Sequence, residues 1–155
     1  MRIFVLGAGA LGGLFGARLR EATLAGLNGP PRKLSSFRGK PLIINVWASW
    51  CGPCRQEMAS LDRLAWLDMA REFSIIGIST DDYPERAKEW LRDSNATISQ
   101  FIDARLEMEN MLGADKLPLT VLVDADGRVL DKIAGARQWD SPQSLRLIAR
   151  TFRAR

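Results

Sequence analysis

The sequence predicts an α/β domain in which helices flank a central mixed β-sheet. Two near-continuous apolar runs, PLIINVWA at residues 41–48 and FSIIGIST at residues 73–80, have the pattern of strands buried on both faces. Each is followed by a helical stretch, read from apolar spacing after the first and from a capping signal after the second. Near the C-terminus, LTVLVDADGRVLDKIAG places two strand-like runs around Asp126-Gly127, a strong hairpin signal. Buried strands joined by helices, with an antiparallel hairpin added late, are consistent with a mixed sheet.

Along the chain, NGPPRK at residues 28–33 is turn chemistry ahead of the first buried strand. A helix over residues 54–72 follows that strand, with Met58, Leu61, Ala65 and Met69 on one stripe. After the second strand, Asp82-Tyr83-Pro84-Glu85 reads as a helix start in which the Asp82 side chain serves free N–H groups. That helix runs to about Asp93. A short strand over residues 98–102 precedes a helix over residues 103–112, stopped by Gly113. Ser141-Pro142 opens the last helix, whose Leu145, Ile148, Ala149 and Phe152 form one stripe. Trp47, Trp66, Trp90 and Trp139 are expected to pack.

At 155 residues the chain has room for one domain. Its 46% hydrophobic and 26% charged residues exclude a disordered, collagen-like or polytopic membrane protein. There is no histidine, which removes Ser-His-Asp and Cys-His nucleophiles and imidazole-based zinc sites. The net charge is +4, but basic residues are interleaved with acids. The densest cluster (Arg146, Arg150, Arg153 and Arg155) has the spacing of a solvated helix face, so nucleic acid is not an expected partner.

Residues 1–22 stand apart from a domain placed at residues 23–155. Residues 3–17 are an uncharged run with five glycines behind Arg2, suited to a short export signal or anchor but marginal for spanning a bilayer. Gly7-Ala8-Gly9-Ala10-Leu11-Gly12 also has the form of a dinucleotide-binding turn, and residues 1–19 resemble the start of a Rossmann-type reductase. No second strand with a ribose-binding acid follows, so a nicotinamide site is not expected. A misassigned start or fusion scar replacing a genuine leader is the third reading.

Cys51-Gly52-Pro53-Cys54 carries the chemistry. It follows a predicted buried strand and opens a helix, whose free N–H groups and partial positive charge stabilise a thiolate. Such placement lowers a thiol pKa from ~8.5 to between ~3.5 and ~7.5. Cys51, at the helix mouth, is the expected exposed nucleophile, and Cys54, one turn inside, the resolving thiol. Gly52 and Pro53 turn the loop into the helix while keeping the sulfurs within bonding range. A zinc half-site lacks its remaining ligands, because there is neither a histidine nor a third cysteine. A purely structural bridge across so short a loop would restrict the unfolded chain by only roughly 2 kcal/mol. Redox exchange remains, and it needs no metal, flavin or nucleotide, only an upstream reductant.

Trp50-Cys51-Gly52-Pro53-Cys54, preceded by NVWAS, resembles the thioredoxin-fold oxidoreductases. GKPLIINVWASWCGPCRQEM, LPLTVLVDADGRVL and GARQWDSP together are similar to their TlpA/ResA-type branch, the thiol–disulfide oxidoreductases of the bacterial envelope. The resemblance covers roughly residues 23–152 and implies a thioredoxin-like fold with that branch's insertion. It aligns Pro118 with a cis-proline facing the dithiol, where the Leu117 backbone can pair with an extended substrate segment. A trans proline beginning an edge strand is the alternative.

The resemblance also aligns Glu57 with a helix glutamate near the dithiol, implying catalytic proton transfer to and from Cys54. The alternative reading of Glu57 is a first-turn residue complementing the helix dipole. Asn45 stands where many thioredoxins carry a buried Asp. It cannot take a proton at neutral pH and is expected to be structural, hydrogen-bonded to neighbouring backbone. The implied substrate-binding surface comprises Trp50, Gly52, Pro53, Leu117 and Pro118.

The function so implied is reduction of disulfides in envelope proteins, with clients of the cytochrome c maturation or metal-site assembly type. A membrane thiol-electron donor would recharge the pair. The expected location is the periplasm or cell envelope, with attachment, where present, through residues 3–17 of a monomer. A cytoplasmic reductase is the alternative location, and a noncatalytic thioredoxin-fold binding module or holdase the alternative function.

Overall fold

The computed structural model describes residues 15–153. The Gly7–Gly12 motif, most of the 3–17 run and Arg155 lie outside the described residues. The strands are β1 (Thr23–Gly26), β2 (Arg32–Lys33), β3 (Leu42–Trp47), β4 (Ser74–Ser79), β5 (Ser99–Ile102), β6 (Leu119–Val123) and β7 (Val129–Ala134). They form one sheet in the order β2-β1-β5-β4-β3-β6-β7. The pairs β3–β4 and β4–β5 are parallel, and all other neighbours are antiparallel, giving the expected mixed sheet. The helices are α1 (Gly52–Ala65), α2 (Pro84–Ser94), α3 (Glu107–Leu112) and α4 (Pro142–Arg153).

β3 explains why the sheet has two apolar layers. All its residues are buried, and alternation sends Leu42, Ile44 and Val46 into one layer with Val121, Met108 and Leu112. Ile43 and Trp47 enter the other layer, with Met58, Leu61 and Leu64 of α1. By the same alternation Asn45 falls on the α1 side. Trp47 donates its indole N–H to Gln100 at 2.9 Å and packs against Trp90, with ring centroids 5.4 Å apart. On α4, Ile148 is buried, and Phe152 packs on Phe73 at 5.6 Å.

Several boundaries differ from the sequence reading. The helix foreseen over residues 54–72 stops at Ala65, and a separate 3-10 turn covers Asp68–Glu72. Trp66 caps the end of α1 and leaves its apolar stripe, so it is 77% exposed instead of packed. Asp82 does not cap α2: Tyr83 is the N-cap and no side chain serves there, because Asp82 lies one residue too early. Asp103 precedes α3 and caps it from a distance, accepting from the Met108 and Glu109 N–H groups at 3.1 and 2.8 Å. Gly113, at φ 67°, ends α3 as expected. Within the 28–33 turn, Arg32 and Lys33 pair with Leu24 and Thr23 as β2. Two exposed residues carry no periodicity to reveal a strand.

Ahead of β1, Phe15 and Arg18 form bridges to Val129 and Arg128 at the β7 hairpin, and Leu19 and Ala22 are buried. The packed chain therefore starts before Thr23. On β7, Lys132 is 6% exposed, and its Nζ has no hydrogen-bond partner among the described residues. Burial pushes its pKa down, with Asp115 partly opposing. Replacing such an amine with an apolar chain of similar length removes the desolvation cost. Lys132→Met is therefore expected to stabilise the fold by about 1 kcal/mol. Urea unfolding checks this, and a loss of stability would refute it.

Candidate active site

The Cys51 loop leaves the C-terminal end of β3, held by a carboxylate just past the end of β4. Ser49 donates to the Asp81 oxygens through its backbone N–H at 2.9 Å and its hydroxyl at 2.6 Å. Ser79 Oγ adds a third donor at 2.6 Å. This fixes the turn through Ala48-Ser49-Trp50 before α1 starts. Cys51 is the N-cap of α1, and its sulfur accepts the Cys54 N–H at 3.2 Å. A sulfur accepting a helix-terminal N–H is placed where a thiolate is favoured. Pro53 lies in the first turn, where its missing N–H would have had no intrahelical partner.

Cys51 and Cys54 are joined by a disulfide, with Cα atoms 5.3 Å apart. Cys54 is fully buried and Cys51 is 6% exposed. Cys51 is thus less open than foreseen, because its side chain turns in over the helix mouth. The surroundings are open: Trp50 is 73% exposed, and Gly52 and Pro53 are exposed. The Leu117–Pro118 peptide is cis. Antiparallel pairing sets Leu119 beside Val46, so Pro118 reaches the end of β3 from which the cysteine loop departs. Leu117 is half-buried against the cluster that contains both cysteines, and Pro118 is buried.

Glu57 lies on the sixth residue of α1, beyond the first turn, and is 1% exposed. The dipole-complementing reading therefore fails. Its Oε1 accepts from Asn45 Nδ2 at 2.7 Å, and its Oε2 accepts from the Arg137 backbone N–H at 3.0 Å and Trp139 Nε1 at 3.1 Å. Burial raises its pKa, and these three donors and the Arg137 charge only partly oppose that. Asn45 also donates to Thr120 Oγ1 at 3.0 Å. Its partners are side chains, not the neighbouring backbone foreseen, because β3 points it at α1 and β6. Ser60 Oγ completes the assembly, donating to the Glu57 carbonyl at 2.7 Å and accepting the Trp139 N–H at 2.9 Å.

Three contributors escape the sequence reading. Trp139 packs as foreseen but also holds Glu57. Thr120 is one more β-branched residue in an apolar run. Asp81 sits beside Asp82, which draws attention as the apparent cap. A serine immediately before Trp50-Cys51 is the available hint that some acceptor anchors the loop.

A raised carboxyl pKa has a defined effect on stability. Glu57 holds its proton more tightly folded than unfolded. Its contribution is therefore full below the ordinary value of 4.5 and is lost as pH rises through the raised folded value. Glu57→Gln stays neutral throughout and is expected to flatten that part of the stability–pH curve. Denaturant unfolding of both oxidised proteins across the acid-to-neutral range measures it, and an unchanged slope contradicts it.

Residues 15–146 match the Redoxin family. The chain belongs to the redoxin family. Over 120 residues this redoxin is 27% identical to the thiol-disulfide oxidoreductase ResA of Geobacillus thermodenitrificans, covering 77% of this chain and 69% of ResA. Over 109 residues it is 34% identical to the thiol:disulfide interchange protein DsbE of Vibrio cholerae, covering 68% of this chain and 57% of DsbE. The chain thus spans between 57% and 69% of the length of these relatives. A crystal structure described as a candidate DsbE from Chlorobium tepidum matches with a TM-score of 0.80 at 26% identity, covering 88% of this chain and 96% of that one. This redoxin is accordingly a thioredoxin-fold protein of the TlpA/ResA-like kind. Its bonded cysteine pair and these relatives give the domain thioredoxin-like thiol–disulfide oxidoreductase chemistry. No helix among the described residues is long and apolar enough to cross a membrane, and none of their His, Cys, Asp and Glu side chains group as a metal site.

Proposed function

We propose that this redoxin reduces disulfides of envelope proteins through Cys51 and Cys54. The observation that carries the reading is the bonded pair at the mouth of α1, where Cys51, 6% exposed, sits between exposed Trp50 and Gly52. In the reduced enzyme, the Cys51 thiolate attacks a substrate disulfide, forming a mixed disulfide and releasing one substrate thiolate, which takes a proton. Cys54 then attacks the Cys51 sulfur. The second substrate thiol departs and the Cys51–Cys54 bond closes. Two electrons pass from enzyme to substrate, and an external dithiol donor returns them.

Glu57, one turn beyond Cys54 and with raised proton affinity, accepts the Cys54 proton as that thiol attacks. Trp50, Gly52 and Pro53 form the docking rim over the buried Pro118, and the Leu117 backbone pairs with an extended substrate segment. The TlpA/ResA-like pattern and the uncharged run behind Arg2 support work outside the cytoplasmic membrane. They also favour residues 1–22 as leader or anchor, a membrane-bound electron donor, and clients of the cytochrome c maturation or metal-site assembly type.

Equilibration with glutathione tests the direction of electron flow. The Gly-Pro pair between the cysteines resembles that of reducing thioredoxins, so the expected potential is nearer ~−270 mV than ~−120 mV. An oxidising value reverses the assignment. In the reduced protein near neutral pH, Cys51 is expected to alkylate much faster than Cys54. Equal rates, or faster labelling of Cys54, would exchange their roles.

A further inference from the structure

Glu57 is surrounded by donors. Asn45 Nδ2 serves Oε1, while Arg137 N–H and Trp139 Nε1 serve Oε2. Three donors suit the ionised carboxylate. The neutral acid needs an acceptor for its O–H, and Oε2 faces two N–H groups that cannot accept. The proton therefore belongs on Oε1, where it would meet the Asn45 NH2 group donor to donor.

Asn45 holds the complementary atom. Its Nδ2 is used twice, by Glu57 and Thr120, whereas its Oδ1 is buried without a hydrogen-bond partner among the described residues. A half-turn of the amide exchanges Oδ1 and Nδ2 with almost no change in shape. Oδ1 then accepts from the Glu57 O–H and from the Thr120 hydroxyl, which rotates from acceptor to donor. Nδ2 becomes the unpaired atom instead. Each protonation state of Glu57 thus leaves one Asn45 atom unpaired, so neither state is favoured on that ground.

We propose that the Asn45 amide turns over with each proton Glu57 gains or loses, making Asn45 a positioning residue for proton exchange at the dithiol. The functional part rests on Glu57 acting as proton acceptor for Cys54. The charge bearing on Glu57 is the Arg137 guanidinium, from the β7–α4 connection. β3 faces it with neutral Asn45, behind which β6 places Thr120, the connection adds the Trp139 N–H, and Cys54, titratable once reduced, precedes it by one turn on α1. An Asp at position 45 would set a second carboxylate beside Glu57 instead of an amide with two usable faces.

An NMR titration of the isotopically labelled full chain, in the oxidised form, tests the turn. The Glu57 carboxyl carbon and the Asn45 side-chain amide are followed together, with contacts from the amide protons to Thr120 and Glu57. The Asn45 resonances are expected to shift with the Glu57 midpoint, and the amide-proton contacts to be lost on the acid side. In Glu57→Gln, the new NH2 group stands where the acid O–H would be, so the Asn45 amide is expected in the turned orientation at every pH. An Asn45 amide with one unchanged hydrogen-bond pattern, through the wild-type midpoint or in Glu57→Gln, overturns the proposal. The pH–rate profile of exchange tests the Glu57 reading separately. If Glu57→Gln leaves that profile unchanged, the proton-acceptor role falls, whatever the amide does.

Discussion

A Cys54→Ala variant is expected to lose turnover and to accumulate mixed disulfides through Cys51. Cys54 is fully buried in the first turn of α1, with its sulfur bonded to Cys51. Once Cys51 has attacked a substrate, Cys54 is the thiol already in position to resolve the adduct. Removing it leaves resolution to thiols from solution, and the advantage of an intramolecular attacker disappears. Turnover should fall by ~10³-fold or more, given the size of intramolecular effective molarities. The variant is mixed with a disulfide-bearing protein, separated without reductant, and the linked residue identified by mass spectrometry. A lack of adducts would favour a noncatalytic binding module. Adducts formed equally well by Cys51→Ala would reverse the order of attack.

Trp139→Ala is expected to cost about 3–5 kcal/mol, the usual range for emptying a fully buried large aromatic site. Trp139 is 0% exposed and joins the same apolar cluster as Met58, Leu61 and both cysteines. Its indole N–H holds Glu57, its backbone N–H is held by Ser60, and the Arg137 guanidinium lies 5.3 Å from its ring centroid. The substitution therefore opens a cavity and removes a donor from a buried carboxylate together. Trp139→Phe separates the two effects. It keeps most of the packing but loses the N–H, so Glu57 should bind its proton more tightly still. Urea unfolding gives the energies, and a loss below about 1 kcal/mol for the alanine variant would contradict the packing role assigned here.

Local pattern made the central strands, the hairpin and the dithiol legible. A buried parallel strand needs an unbroken apolar run, and a tight hairpin needs a residue such as Gly127, which sits at φ 87°. A Cys-Gly-Pro-Cys segment after such a strand has few other uses. The surroundings of Glu57 are different, because they are assembled by register and not by spacing. Trp139 is 82 residues from Glu57, Thr120 is 75 from Asn45, and Asp81 is 32 from Ser49. No window along the chain holds both members of any of these pairs. The end of α1 is not legible because Met69 continues the spacing of Met58, Leu61 and Ala65 across the break into the 3-10 turn, whereas the start of α2 turns on which single residue adopts the cap conformation.

Lys132 also bears on how one copy of the molecule meets another. The outermost strands of the sheet are β2 and β7, and a bare strand edge is a template for adding a foreign strand and for aggregation. β2 offers two residues, Arg32 and Lys33, both exposed and positively charged. β7 is bridged at its start by Phe15 and Arg18, and farther along it carries Asp131 and the buried Lys132. A second chain docking there would seal that amine still farther from water. The side chain expected to cost the single molecule stability thus disfavours a strand added at its edge, in a protein that leaves the Trp50 ring exposed. Lys132→Met would trade that protection for stability, and its more stable fold should be the more prone to self-association.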